Sequence, residues 1–148
     1  MAISLKYTAY ARHARVLKMR LYIAVGIGGM IGASLRFLLS SFILFESFGS
    51  LPLATFFVNI TGAFILTFIT FSPAIKNAFS KTTFTALTTG LIGSYTTFST
   101  IIVEAIELSF SEMNIAILYI IGTVLFGLLA SFLGIIAATK MTRERGES

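Results

Sequence analysis

The sequence predicts an all-α membrane protein with four transmembrane helices. Hydrophobic residues make up 56% of its 148 residues and charged residues only 11%, whereas a soluble domain carries about 25% charged residues. The apolar residues are also gathered into long runs, and a helix needs about 20 mostly apolar residues to cross the hydrocarbon. Four runs qualify as spans: Leu21 to Phe45, Pro52 to Phe71, Phe84 to Ile106 and Ile115 to Thr139.

The regions flanking these spans are short and polar. Residues 1–20 lack the apolar core and the cleavage site of a secretory signal, so we expect a basic segment at the membrane surface. Met19 is an alternative start, which would make the residues before it a translated extension. Residues 21–139 then form the four-helix transmembrane domain, and residues 140–148 form a polar C-terminal tail.

The positions of Lys and Arg predict the orientation. In a four-span chain, both termini and the loop between the second and third spans share one side, and ten of the eleven basic residues fall there. Short segments rich in Lys and Arg stay in the cytoplasm. We therefore expect a plasma or inner membrane location, with both termini on the cytoplasmic side. The ten residues are Lys6, Arg12, Arg15, Lys18, Arg20, Lys76, Lys81, Lys140, Arg143 and Arg145.

Small residues indicate how the spans meet, because helices in lipid associate through close backbone approach. In the first span, Gly28 and Gly32 have GxxxG spacing. In the fourth, Thr123, Gly127 and Gly134 share a face with Ala130. Helix packing and pore lining both explain these faces, and the sequence alone leaves the two open.

The third span is predicted to be broken near its centre. Its stretch Gly93 to Thr100 is rich in poor helix formers. Backbone carbonyls freed at membrane depth must be buried in protein, line water or bind an ion, and broken helices often hold a cation. The alternative is a continuous helix whose hydroxyls bond back to their own carbonyls.

Neutral hydrogen-bond donors occur within the spans. Asn59 lies in the middle of the second span, one turn after Thr55, and an unpaired amide in hydrocarbon costs several kcal/mol. Asn59 must therefore face protein or water. Its amide and the hydroxyls of Thr55, Tyr119 and Thr123 are donors that suit either an anion or interhelical bonding. Glu104 and the other acidic residues fall near span ends, which weakens a proton-coupled carrier.

Two further residues suit an anion. Phe98 is ordinarily a core or lipid-facing side chain, yet the positive edge of an aromatic ring favours an anion that has shed water. Arg36 is the lone charge in the first run; it either snorkels to the outer interface or supplies positive potential at an anion entrance, and both roles are compatible.

Three stretches resemble a known family. GGMIGASLR (Gly28 to Arg36), LPLATFFVNITGAF (Leu51 to Phe64) and GLIGSYTTFST (Gly90 to Thr100) are similar to the three signature stretches of the Fluc (CrcB) fluoride channels. They occur in the family's order on the first, second and third spans. The resemblance implies an antiparallel dimer of four-helix subunits that exports fluoride passively and confers fluoride resistance.

The resemblance also implies site residues. It makes Asn59 the pore asparagine, Phe98 a pore phenylalanine, and Tyr119 and Thr123 the polar track of the fourth span, and Arg36 matches the family's arginine. The family's structural sodium ion, its metal cofactor, is held by backbone carbonyls, which would here belong to Gly93 and Thr96.

Two features depart from the family pattern. Ile101 stands where the family has a second phenylalanine, which removes an aromatic edge from a pore wall. A homodimer with one inverted subunit also requires a chain with little orientation bias, whereas the charges of this chain are strongly biased to one side. Both departures suit a subunit that pairs with a related chain inserted the other way.

Other functions fit less well. A small four-helix multidrug or cation exporter would be expected to carry a glutamate in the first span, which is missing here. A membrane scaffold without transport would leave the donor-rich spans unexplained. The sequence has no cysteine and offers no nucleophile with a base, no carboxylate pair and no metal-ligand cluster, so we expect no enzymatic activity; nothing points to nucleic acid.

Overall fold

The computed structural model describes residues 2–44 and 51–146, and the regular structure in these ranges is helical. The elements follow in chain order as α1 (Ala2–Leu44), α2 (Leu53–Phe71), α3 (Pro73–Ala78), α4 (Lys81–Thr85), a π-helical segment (Ala86–Ile92), α5 (Gly93–Tyr95), α6 (Ser99–Ser111) and α7 (Met113–Gly146). Helix α1 runs without interruption from the basic N-terminal segment into the first span.

Within the described ranges, four stretches are long and apolar enough to cross a membrane. They are Arg15–Phe42, Leu53–Phe71, Lys81–Ser111 and Met113–Glu144. Each contains most of one predicted run, so the prediction of an all-helical chain with four membrane-crossing helices is confirmed. Phe45 and the predicted loop Glu46 to Ser50 lie outside the described residues.

Many large apolar side chains face outward. Phe42 is 74% exposed and Phe110 is 87% exposed. Lipid tails are as apolar as these side chains, so helices in a bilayer gain little by burying them against one another. The exposed apolar surface is therefore the expected lipid-facing surface of a spanning bundle.

Glycines bring the first span against the third. A methyl group added at Gly28 would lie 2.5 Å from the carbonyl oxygen of Ala86, and one at Gly32 would collide with the carbonyl of Leu91. From the other side, a methyl group at Gly90 would lie 2.6 Å from the carbonyl oxygen of Val25. The GxxxG pair of α1 thus packs directly on the π-helical segment.

Helices α2 and α7 pack closely against each other. The rings of Phe56 and Phe126 lie 5.7 Å apart at 69°, and a methyl group at Gly134 would lie 2.6 Å from the carbonyl oxygen of Phe64. A buried cluster between α6 and α7 completes the core, with Phe56 and Ile115 packed against it. The cluster consists of Ile101, Ala105, Leu108, Ala116 and Tyr119.

Helix α2 ends where proline follows. Ser72 has extended backbone (φ −93°, ψ 106°) and Pro73 begins α3. Proline lacks an N–H and disfavours a helical residue before it, so the chain turns here. Further along, α5 ends at Tyr95, Thr96 has extended backbone (φ −78°, ψ 160°), and α6 begins at Ser99. The third candidate span therefore consists of several helical segments.

We predict that Gly32→Ala weakens the packing of α1 on the third span. The new methyl group meets a backbone carbonyl, which cannot move aside as a flexible side chain can, and overpacking of this kind costs about 1–3 kcal/mol. The measurement is reversible unfolding in mixed micelles. Gly26→Ala is the matched control, because a methyl group there meets nothing within 4 Å; equal stability losses in the two variants would contradict the close crossing.

Candidate functional site

A cavity between α2, α6 and α7 brings together several of the predicted site residues. Its volume is about 390 Å³, and Asn59, Thr96, Phe98 and Thr123 line it. Asn59 lies on α2, the next two flank Thr97 between α5 and α6, and Thr123 lies on α7. Elsewhere the wall is apolar or small, so the polar groups are few and concentrated. The remaining lining residues are Ala63, Thr97, Ile101, Ile102, Ile120, Val124, Gly127, Leu128 and Ser131.

The side chain of Asn59 pairs with the backbone of Thr97. Asn59 Nδ2 donates to the Thr97 carbonyl oxygen at 2.9 Å, and the Thr97 N–H donates to Asn59 Oδ1 at 2.8 Å. The amide satisfies both backbone groups of a residue that lies outside any helix. An amide nitrogen carries two hydrogens, so Asn59 keeps one N–H for another acceptor.

This pairing changes the hydrogen bonding of the preceding turn. In a continuous helix, the Thr97 N–H would bond to the carbonyl of Gly93, four residues earlier. Here that carbonyl has the Thr96 hydroxyl at 3.5 Å. The Thr100 N–H, which would serve the Thr96 carbonyl, donates to Thr97 Oγ1 at 3.3 Å. Side chains thus divert the helical donors of both predicted cation-binding carbonyls.

The carboxylate of Glu104 lies at a second polar centre. The Thr55 hydroxyl donates to Glu104 Oε1 at 2.7 Å, and the Tyr119 hydroxyl donates to Glu104 Oε2 at 2.6 Å. Thr55 and Tyr119 are buried, whereas Glu104 is partly buried. Because each hydroxyl has one hydrogen, neither donates to a passing anion while it remains bonded to the carboxylate.

Sequence reasoning missed the role of Glu104. The residue was placed near the end of its span, but in the structure α6 carries its carboxylate into contact with α2 and α7. A signal was present in the sequence: Thr55 and Tyr119 are hydroxyl donors in otherwise apolar spans. Their need for an acceptor pointed to an acidic residue, but Glu46 and Glu112 lie nearer to them in the sequence than Glu104 does.

Arg36 and Thr55 share a separate cavity of about 240 Å³ between α1, α2 and the start of α6. Thr97 lines this cavity as well as the first, so it forms part of the wall between them. Arg36, on α1, therefore lines the same cavity as Thr97, the residue whose backbone binds to Asn59. A cationic group at this position raises the local potential for an anion.

The remaining predicted site residues differ in their exposure and in their hydrogen bonds. Phe98 lines the first cavity and is 74% exposed, so much of its ring is not covered by the rest of the chain. The Thr123 hydroxyl donates to the Tyr119 carbonyl at 2.7 Å and offers only lone pairs to the cavity. Gly93 is exposed on the outer surface. Ser131, which sequence reasoning did not select, adds a hydroxyl to the cavity wall.

The structure separates the two interpretations of the small face of α7. A methyl group at Gly134 would meet the backbone of α2, whereas one at Gly127 would meet nothing within 4 Å. Gly134 therefore serves helix packing, whereas Gly127 lines the first cavity. Ile101 also lines this cavity, with 8% of its surface exposed.

Four candidate spans with hydrogen-bonding groups gathered between them define a multi-pass membrane protein. The family described as "CrcB-like protein, Camphor Resistance (CrcB)" matches residues 23–135. With this match over most of its length, the chain belongs to the CrcB family.

Individual relatives agree with the family match. "Fluoride-specific ion channel FluC 2" of Geobacillus kaustophilus is 43% identical over 124 residues, which cover 83% of this chain and 96% of the relative. "Fluoride-specific ion channel FluC 1" of Bacillus thuringiensis subsp. konkukian is 41% identical over 119 residues, covering 80% and 87%. A protein of the same name from Methanosarcina acetivorans is 40% identical over 118 residues, covering 79% and 89%.

We predict that Tyr119→Phe destabilises the bundle by about 1–3 kcal/mol, because a partly buried carboxylate loses one of its donors. In a Glu104→Gln background the same change should cost less, since no charge is left to satisfy. Reversible unfolding of the four proteins in this double-mutant cycle gives the coupling energy. Tyr22→Phe, on the exposed surface of α1, is the control. Equal costs in both backgrounds would show that Glu104 does not depend on the Tyr119 hydroxyl.

Proposed function

We propose that this chain is a subunit of a fluoride-specific ion channel, which lowers cytoplasmic fluoride by passive export and so confers fluoride resistance. The observation that carries the proposal is the cavity lined by Asn59, Phe98 and Thr123 in a chain whose relatives are named fluoride-specific ion channels. The activity is transport rather than catalysis. Membership of the same family argues against the multidrug exporter and the scaffold.

The polar groups are suited to a small anion that has shed part of its water. The free N–H of Asn59 is a neutral donor, and the edge of the Phe98 ring carries positive partial charge. Neutral donors bind an anion without holding it as tightly as a fixed charge would, and conduction needs binding weak enough for the ion to leave. Arg36 raises the local potential beside this path.

A passing anion must compete with Glu104 for hydroxyl hydrogen bonds. The hydroxyls of Thr55 and Tyr119 donate to its carboxylate. In this proposal fluoride takes these hydroxyl hydrogen bonds as it passes, and they return to Glu104 afterwards. The carboxylate thus keeps two donors oriented within the membrane while no anion is present.

We further propose that the working unit is an antiparallel dimer. Phe98 projects from its own subunit with 74% of its surface exposed, and Gly93, on the same span, is exposed as well. A partner subunit would cover both. In this account the interruption at Thr96 to Phe98 is a lasting break in the third helix, which presents carbonyls and an aromatic ring to the subunit interface.

A structural sodium ion is the cofactor that these carbonyls suit. Carbonyl oxygens are hard ligands, and those of Gly93 and Thr96 have lost their helical N–H donors to side chains. Carbonyls left in this state at membrane depth need a cation, water or protein. The ion would hold the two subunits together by charge, while the fluoride path is lined by donors elsewhere.

We propose an inner or plasma membrane location with both termini in the cytoplasm. In the described part of the chain, basic side chains are exposed on the N-terminal half of α1, on α3, at the start of α4 and near the end of α7, namely Arg15, Lys18, Arg20, Lys76, Lys81, Lys140 and Arg143. A chain so biased inserts one way. Its antiparallel partner would then be a related chain with the opposite bias.

We predict that Asn59→Asp sharply reduces fluoride efflux from liposomes. An ionised carboxylate repels the anion, has no N–H to offer, and cannot donate to the Thr97 carbonyl. Efflux is followed with a fluoride electrode, with chloride efflux as the selectivity control and with the chain reconstituted alone and with a candidate partner. Wild-type flux in a folded Asn59→Asp variant would remove Asn59 from the pore, and no fluoride flux in any reconstitution would refute the channel.

We predict that replacing sodium lowers the stability of the dimer. A cation that binds only the assembled state stabilises it by mass action, by about 2.7 kcal/mol at a concentration of 100 Kd. Thermal unfolding and subunit exchange are compared in sodium, lithium and a large organic cation at constant ionic strength. Stability that does not change among the three would count against the site at Gly93 and Thr96.

We predict a single topology, because the basic residues lie in short flanking segments where the positive-inside bias acts. A C-terminal reporter should be read only in the cytoplasm, and cells making this chain without a partner should resist fluoride poorly. Equal reporter signal on both faces together with full resistance would show that the chain forms a dual-topology homodimer.

A further inference from the structure

The last residue of α5 is tied to α2 by a hydrogen bond. The Tyr95 hydroxyl lies 2.9 Å from Thr61 Oγ1. Thr61 Oγ1 also lies 2.7 Å from the carbonyl oxygen of Phe57, to which it donates. Because a threonine hydroxyl has one hydrogen, Tyr95 is the donor and Thr61 the acceptor. The back-bond to Phe57 thus orients the oxygen that Tyr95 uses.

The ring of Tyr95 also contacts α2, in addition to the hydrogen bond of its hydroxyl. A methyl group at Gly62 would lie 3.2 Å from Tyr95 Cδ1 and would collide with the side chain of Thr96. Glycine at this position therefore allows both side chains to lie directly on the backbone of α2. The hydroxyl contact and the ring contact fix Tyr95 against the same turn of α2.

Thr96 is consequently held from both sides by one helix. Asn59 bonds to the backbone of Thr97, and Thr61, two residues further along α2, bonds to Tyr95. The single residue between these two anchors has the extended backbone that ends α5. Contacts with α2 therefore hold both neighbours of Thr96 in the chain.

We propose that Tyr95 is a positioning residue that acts through Thr61 to hold the carbonyls of Gly93 and Thr96 in the geometry that a cation requires. The inference rests on the sodium site proposed above. Tyr95 acts through its hydroxyl, which is bonded to α2, and not by contact with the ion. Its hydrogen bond keeps the end of α5 from shifting along α2, so that the two carbonyls stay at a fixed separation.

The test is a sodium titration of thermal stability for the full-length protein in lipid nanodiscs, alone and assembled with a candidate partner, with an organic cation maintaining the ionic strength. Tyr95→Phe removes only the hydroxyl, and Thr61→Val removes its acceptor while keeping the side-chain shape. A net hydrogen bond between neutral groups corresponds to about a three- to tenfold change in an equilibrium constant. Each variant should raise the half-saturating sodium concentration by about that factor, and the double variant should raise it no further.

A merely structural hydrogen bond gives a different pattern. It would lower the melting temperature equally with and without sodium and leave the half-saturating concentration unchanged, and this result would overturn the inference. Tyr22→Phe, which removes an exposed hydroxyl on α1, should leave both quantities as in the wild type. Thr61→Val supplies a second, independent measurement if Tyr95→Phe fails to fold.

The same samples distinguish failure of this inference from failure of the channel. A wild-type protein that exports fluoride but shows no response to sodium would overturn the cation site and the positioning role together, leaving the channel intact. A wild-type protein that responds to sodium, with the expected shifts in both variants but no fluoride flux either alone or with a candidate partner, would support the positioning role and refute the channel.

Discussion

The hydrogen-bonded pair between Asn59 and the backbone of Thr97 is the constraint on which the rest of the site depends. A backbone N–H and C=O left unpaired at membrane depth would each cost several kcal/mol, so the interruption after Tyr95 requires a partner for Thr97. The Asn59 amide supplies a donor and an acceptor at 2.9 and 2.8 Å. By taking the Thr97 N–H, it also leaves the Gly93 carbonyl without its helical donor. One side chain thus links the wall of the first cavity to the Gly93 carbonyl in α5.

At the second polar centre, around Glu104, hydrogen bonding balances the cost of a charge. Glu104 is a charge inside a spanning bundle, and such groups are costly and generally functional. Its two hydroxyl donors come from α2 and α7, so the carboxylate also ties three helices together. The arrangement that stabilises the fold therefore occupies the hydroxyls that an anion would need. In the proposed channel, competition between fluoride and Glu104 for those hydrogen bonds would connect stability to permeation.

Much of the fold was predictable from sequence, because spans of about 20 apolar residues and GxxxG spacing are local signals. Asn59 was also predictable, since an amide in hydrocarbon demands a partner, but its partner was not: Thr97 lies 38 positions away. Glu104 was missed because sequence position alone suggested a span end, and only the packing of α6 against α2 and α7 shows what it contacts. Thr123 was predicted as a donor, yet its hydroxyl bonds to its own helix, a local choice that side-chain identity does not reveal.

The central claim is that Asn59 diverts the Thr97 N–H and leaves the Gly93 carbonyl without its helical donor. Infrared spectroscopy of protein carrying a ¹³C=¹⁸O label at Gly93 tests it directly, since hydrogen bonding lowers the stretching frequency of a carbonyl. The same label at Gly127, within the continuous helix α7, gives the hydrogen-bonded reference. In sodium-free lipid, the account predicts a higher frequency at Gly93 than at Gly127. Identical frequencies would show that the Gly93 carbonyl is as strongly hydrogen-bonded as one in a continuous helix and would contradict the account.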